Sequence, residues 1–268
     1  SSALGIRIGA EGSTARTAVE LFADSTKFAG PVAQTTYVKS PTWDMAGFAL
    51  ADYTVGRAIF SAGARYDYVR IPFENQLDPT RDTTSSYSRL SPKGGVSVEL
   101  GRGLSVFGSV GAAYRAPAVI ELACADEAEP CPLPFALGDD PPVKPVRAVT
   151  YEAGGQLVAG QAIINASAYR TDIRDEIVLL ASDLSPSGST IEGYFDNLDR
   201  TRRVGVELSS QLFLNGGHTL YANYAFTRAT YESEAEIFSI REDFGGENEV
   251  EAGDEFPLVP SHQVKFGG

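Results

Sequence analysis

Long polar connectors and tight turns alternate along this chain, and that rhythm restricts the folds open to it. Tight-turn sequences fall at Glu11-Gly12-Ser13-Thr14, Thr54-Val55-Gly56, Gly101-Arg102-Gly103, Val158-Ala159-Gly160 and Asn215-Gly216-Gly217. Between them lie the connectors 24–41, 72–87, 116–145, 181–190 and 232–257. A soluble sandwich mixes loop lengths at both ends of its sheets. A membrane β-barrel keeps short turns on one side and long loops on the other. The rhythm predicts an all-β chain folded as an antiparallel transmembrane β-barrel wall.

Side-chain alternation gives the wall two faces. Within 104–115, Leu104, Val106, Gly108, Val110, Ala112 and Tyr114 oppose Ser105, Phe107, Ser109, Gly111, Ala113 and Arg115. Within 58–70, Ala58, Phe60, Ala62, Ala64, Tyr66 and Tyr68 oppose Ser61, Gly63, Arg65 and Asp67. Val204, Val206, Leu208 and Leu212 likewise oppose Arg203, Gly205, Glu207 and Gln211. A barrel Arg or Lys at the bilayer midplane costs about 2–4 kcal/mol. Arg65, Asp67 and Glu207 are therefore predicted to face the lumen, with the apolar set on lipid. Tyr66, Tyr68 and Tyr114 are predicted to form an aromatic girdle near the long-loop side. Ordinary sandwich strands would show the same alternation, so it is the loop rhythm that favours a barrel.

Eleven strands are predicted, over 3–9, 15–23, 44–53, 57–71, 88–99, 104–115, 146–157, 162–180, 191–213, 219–231 and 259–267, with no helix and no domain boundary. No run approaches the roughly 18 apolar residues of a transmembrane helix, and a β-barrel needs none. The chain carries 22 basic and 35 acidic residues, a net charge of -13. Such a surface repels phosphate backbones and argues against nucleic acid as a partner. Two histidines, His218 and His262, leave few nitrogen ligands for a transition metal, and no cofactor or metal site is predicted.

Several stretches, read in order, resemble the C-terminal barrel portion of TonB-dependent outer-membrane receptors. They include Ser61-Ala62-Gly63-Ala64-Arg65-Tyr66-Asp67, Ser88-Arg89-Leu90-Ser91-Pro92-Lys93-Gly94 and Tyr114-Arg115-Ala116-Pro117-Ala118-Val119-Ile120-Glu121-Leu122. Thr150-Tyr151-Glu152-Ala153-Gly154, Ala168-Tyr169-Arg170-Thr171-Asp172, Gly205-Val206-Glu207-Leu208 and Pro257-Leu258-Val259-Pro260-Ser261-His262 follow. The resemblance implies part of a 22-stranded barrel, here residues 1–268, without the family's plug domain, its coupling box or its closing strands. It implies residence in a Gram-negative outer membrane, surrounded by lipid. In the full-length protein it implies a plug and the TonB energy complex as partners.

The implied activity is TonB-dependent uptake of a scarce nutrient or metal chelate, above all a ferric siderophore or other iron complex. A passive porin-like channel and a soluble β-rich binding module are the alternatives. No Gly-x-Ser-x-Gly elbow, His-Glu-x-x-His or phosphate-binding Gly-rich loop suggests an enzyme.

Cys124 and Cys131 lie in one connector. In an exported protein such a pair reads as a disulfide, contributing about 2.5 kcal/mol at most for so short a loop. Metal binding by the thiols is the competing reading. Ten carboxylates between Glu232 and Glu255 face the lone Arg241. They read as a solvated loop, with calcium binding as the sharper alternative. Exposed loop candidates for ligand contact are Arg81, Phe135, Tyr194 and Phe195.

Overall fold

Chain reversals of two or a few residues set the architecture, because right-twisted antiparallel strands are best joined by turns with positive φ. Gly56 (φ 60°), Gly160 (59°), the pair Arg102 (56°) and Gly103 (78°), and the pair Gly216 (84°) and Gly217 (82°) meet that need. At Gly103 a Cβ would run into the Val158 carbonyl oxygen. The Gly103 carbonyl accepts the Val158 amide at 2.8 Å, tying this turn to the neighbouring strand.

A computed structural model describes residues 2–22, 34–122, 131–132, 143–181, 192–238 and 247–268. The strands are β1 (Ser2–Phe22), β2 (Gln34–Val55), β3 (Ala58–Asn75), β4 (Thr83–Gly101), β5 (Leu104–Arg115), β6 (Cys131–Pro132) and β7 (Val146–Ala159). They continue with β8 (Ala162–Ala181), β9 (Glu192–Phe213), β10 (Thr219–Tyr231), β11 (Ala235–Phe238), β12 (Glu247–Val250) and β13 (His262–Gly267). A short helix α1 spans Val119–Leu122, and a 3-10 turn spans Pro79–Arg81.

One antiparallel sheet runs β1-β2-β3-β4-β5-β7-β8-β9-β10-β13, with β6 added on β9. Each strand in that order pairs with its neighbour in the chain of long strands, as an up-and-down wall requires. At about 3.4 Å per residue the 21 residues of β1 run about 70 Å. That length far exceeds the apolar belt of about 25 Å that a membrane barrel presents.

One face of the wall is apolar and open. Ile8 is 79% and Phe266 80% exposed, and Phe60, Val106, Val110 and Val206 are at least 36% exposed. No compact water-soluble interior seals these residues. Buried apolar groups instead gather near the long-loop ends: Val38, Ile71, Phe73, Leu122, Val143, Ile177, Leu198, Tyr231 and Val250.

Three expectations need correction. Glu11-Gly12-Ser13-Thr14 is not a turn; it pairs in register with Ala46, Met45, Asp44 and Trp43. Segments 3–9 and 15–23 are thus one strand, and the main sheet counts eleven strands with the short β6 included. Two short helical turns occur where none was predicted. The acidic connector 232–257 holds the hairpin of β11 and β12, paired Ala235 to Val250 through Phe238 to Glu247. Tyr66 and Tyr68 keep exposed positions, whereas Tyr114 has an enclosed hydroxyl with no hydrogen-bond partner among the described residues.

Candidate binding vestibule on the inner wall

Register fixes which residues share the polar face. Glu11 pairs with Ala46 and Ala46 with Asp67, placing the two carboxylates in one row across β1, β2 and β3. The small, buried Ala46 lies between them. Arg65 takes both: its Nε donates to Asp67 Oδ1 at 2.7 Å and its Nη2 pairs with Glu11. Nearer the turn side, Asp52 accepts from Arg7 and from the Ser61 hydroxyl, the latter at 2.6 Å. These groups are part-exposed, so solvent screens each pair and its contribution to stability is small. Their chemistry is that of a wet wall able to meet polar groups within the barrel.

A second zone lies on β7 to β13. Gln156, Asn165, Ser209 and Asn223 occupy one row of the ladder. Gln156 Nε2 donates to Asn165 Oδ1 at 2.8 Å, and Asn165 Nδ2 to Ser209 Oγ at 3.1 Å. A recess of about 620 Å³ opens there, lined also by Phe107, Glu207 and Lys265. Above it the Tyr169 ring crosses Gly205, and its hydroxyl lies 3.2 Å from Thr227 Oγ1. A Cβ on Gly205 would meet that ring at 2.5 Å.

At the long-loop end the wall is covered. Pro117, lacking a backbone donor, stops the β5 ladder, and the chain turns through α1. Arg115 grips Glu121 with two hydrogen bonds of 2.7 and 3.0 Å, and Glu121 also accepts the Ala118 amide at 2.7 Å. This clasp delivers Leu122 onto Ile71, Val143 and Ile177, with Val69, Tyr87, Val119, Val146 and Phe195 packed around them. The Tyr87 hydroxyl donates to the Val143 carbonyl at 3.1 Å. Asn197 holds the returning chain: it accepts from the Lys144 amide at 2.7 Å and donates to the Lys144 and Asp175 carbonyls, each at 2.9 Å.

The β11–β12 hairpin forms a second cover, burying Val250 with Leu198 and Tyr231. Tyr231 stacks on Phe256 at 4.0 Å, and the Arg203 guanidinium lies 4.5 Å from the Phe256 ring centre. Arg203 also reaches Glu176 at 2.7 Å. A mobile solvated loop was expected here, and the apolar positions Ala235, Ile237 and Val250 explain the difference.

The predicted residues divide accordingly. Arg65 and Asp67 meet directly, whereas Glu207 lines the separate recess on β9. Phe195 joins the apolar cover, Tyr194 is part-buried on β9, and Arg81 ends the exposed 3-10 turn. Phe135 and Cys124 lie outside the described residues. Cys131 is described only by its backbone, which pairs with Gly193. Among the described residues no group of three or more His, Cys, Asp or Glu could hold a metal ion. Glu11 escaped sequence reading because it was assigned to a turn. Phe256 and Asn197 carried no periodic signal that could single them out, and Arg203, though on the polar side of the alternation, was not named as a site candidate.

A family model described as "TonB dependent receptor-like, beta-barrel" matches residues 7–268. The ferric-catecholate import receptor Fiu of E. coli K12 superposes with a TM-score of 0.69 at 16% identity, covering 99% of this chain and 39% of that one. The siderophore receptor PiuA of Acinetobacter baumannii gives 0.67 at 13%, covering 99% and 40%. The copper transporter OprC gives 0.67 at 15%, covering 99% and 38%. The chain thus spans about two fifths of the length of these structures, and at such identities the likeness establishes the fold.

Proposed function

This chain belongs to the TonB-dependent receptor family, whose members are outer-membrane transporters of Gram-negative bacteria and not enzymes, and we propose that it forms part of the barrel of an active importer for a ferric siderophore or similar iron chelate. Residues 1–268 supply barrel wall, external loops and part of the vestibule. A plug domain and the remaining strands complete the full-length protein, and the TonB complex drives transport. The observation that carries this reading is the family match over nearly the whole chain, joined to a polar inner wall whose mouth is covered by two folded loops.

In this scheme Arg65, Asp67 and Glu207 face the lumen and contact the plug or solute, while Phe195 and Tyr194 border the mouth. Arg81 and Phe135 are the outlying loop candidates, and Cys124 with Cys131 form a loop disulfide. Chemistry favours a bulky, hydrogen-bonding solute: the recess offers amides, hydroxyls and one carboxylate beside an aromatic ring. Two of the structural neighbours are named for siderophores or ferric catecholate and one for copper.

The test is uptake of radio-labelled ferric siderophores, and separately of copper, by cells carrying or lacking the full gene. Gene-dependent and TonB-dependent iron accumulation is the expected result. Copper uptake alone would replace the iron assignment, and uptake independent of TonB would replace active import by a passive pore.

A further inference from the structure

Between β4 and β5 the wall parts. Their ladder runs from Gly101 opposite Leu104 to Lys93 opposite Gly111 and stops there. Both strands go on beyond it. Residues 83–92 of β4 stay paired with β3, and residues 112–115 of β5 stay paired with β7. Pro92, the next residue on β4, has no N–H with which to carry the ladder forward. Among the described residues no other neighbouring pair of the main sheet separates while both of its strands continue.

Apolar groups flank this seam on both sides of the wall. On the open apolar face the β4 register reads Val98, Val96, Gly94 and then, at the seam, Pro92 and Leu90. Continued past its last pair, the ladder register puts them level with Ala112 and Tyr114 of β5. Leu90 is 57% exposed, and the polar Ser88 and Ser86 follow it. On the lumen register, Tyr87 of the parted β4 segment belongs to the apolar seat of Leu122, Val143 and Val146. An apolar surface thus leads from the outer face, past the seam, to the mouth of an otherwise polar wall. Tyr114 stands beside the opening, and its enclosed hydroxyl has no hydrogen-bond partner among the described residues. Enclosed hydroxyls are normally paired.

We propose that the seam admits the aliphatic tail of an amphiphilic solute, so that the imported chelate is one that carries an acyl chain. The chelate head lies in the vestibule, and the tail passes between Leu90 and Tyr114 into the outer leaflet. The Tyr114 hydroxyl meets the polar link between head and tail. A tail drawn whole into a wet lumen would expose its methylenes to water; the seam keeps it in hydrocarbon. The unpaired backbone along the seam is tolerated because it opens onto lumen water. This inference rests on the import reading above and names the class of its solute.

The test uses full-length protein carrying S91C/A113C, two small residues that the continued register sets level across the seam. Its heat-modifiable gel mobility reports intact folding. In lipid nanodiscs the two thiols are either capped singly with N-ethylmaleimide or bridged with a short bismaleimide, with the native protein treated alike. The probes are the ferric complexes of N-dodecanoyl- and N-acetyl-desferrioxamine, which share a trihydroxamate head and an amide link and differ in the tail. Binding is corrected for retention by empty nanodiscs. The capped protein should bind the dodecanoyl complex about tenfold more tightly than the acetyl complex. Bridging should remove that advantage and leave binding of the acetyl complex unchanged. Equal affinity for the two complexes in the capped protein, or an advantage that survives bridging, would overturn the seam as a tail port while the import reading stands. Bridging that weakens both complexes alike would also overturn it, as an effect on the head site. Binding of neither complex would overturn both readings.

Discussion

Glu11 shows how a single side chain can be misread by composition and recovered by register. Glu-Gly-Ser-Thr is turn chemistry in a soluble protein, but here Glu11 looks onto a wet lumen and pairs with Arg65. Replacing Arg65 by Met leaves Glu11 and Asp67 without their shared cation. The expected loss is about 1 kcal/mol for such part-exposed groups, measured by urea unfolding of the full-length barrel in micelles. Adding Glu11→Gln should recover part of it. Gly205→Val is a sterically harsher change, since its Cβ would lie 2.5 Å from the Tyr169 ring and 2.6 Å from the Phe226 carbonyl oxygen. Overpacking of this kind costs about 1–3 kcal/mol, read out in the same unfolding assay.

Outside the membrane, Asp78 caps the 3-10 turn. Its carboxylate accepts from the Thr80 hydroxyl at 2.6 Å and amide at 3.1 Å. These bonds, the side-chain one foremost, hold its pKa below the usual carboxylate range. A depressed folded-state pKa means the turn's extra stability is fully present above the ordinary carboxylate pKa. It is lost as pH falls through the lower folded value. The protection factor of the Thr80 amide, its exchange rate taken against the intrinsic rate at each pH, should therefore fall on acidification through that window, and Asp78→Asn should remove that fall.

At the scale of elements, the passage from Tyr114 to Leu122 joins two strands of argument. Its sequence carried the sharpest family resemblance, and the structure gives the physical reason: Arg115 and Glu121 form a clasp that drops Leu122 into an apolar seat on the inner wall. Leu122→Ala should cost about 2–5 kcal/mol as a buried truncation. Glu121→Gln should leave the barrel folded while hastening protease cleavage in the following loop. The long strands were legible because period two persists through 104–115 and 204–212, and the four tight turns because positive φ favours Gly. The merger of the first two predicted strands was not legible, since a lumen-facing row tolerates the same polar residues as a turn. Nor was the β11–β12 hairpin, whose few apolar residues are outnumbered by carboxylates. Glu207 and Arg65 both lie on the polar register, but the distance between them depends on strand order across the wall, which local alternation does not encode.

The whole molecule is an open arc of wall, and its account depends on one face meeting hydrocarbon. Val206→Arg should destabilise the full-length barrel in a bilayer by about 2–4 kcal/mol, while Ser209→Arg, on the lumen side, should cost far less. The most direct test places a nitroxide on single cysteines along residues 204–212 of the full-length protein in lipid bilayers. Collision with dissolved oxygen should peak at Val204, Val206, Leu208 and Leu212, and collision with a water-soluble nickel chelate at Gly205, Glu207, Ser209 and Gln211. Nickel access equal at both sets, or oxygen access without the two-residue period, would contradict a wall standing between lipid and lumen.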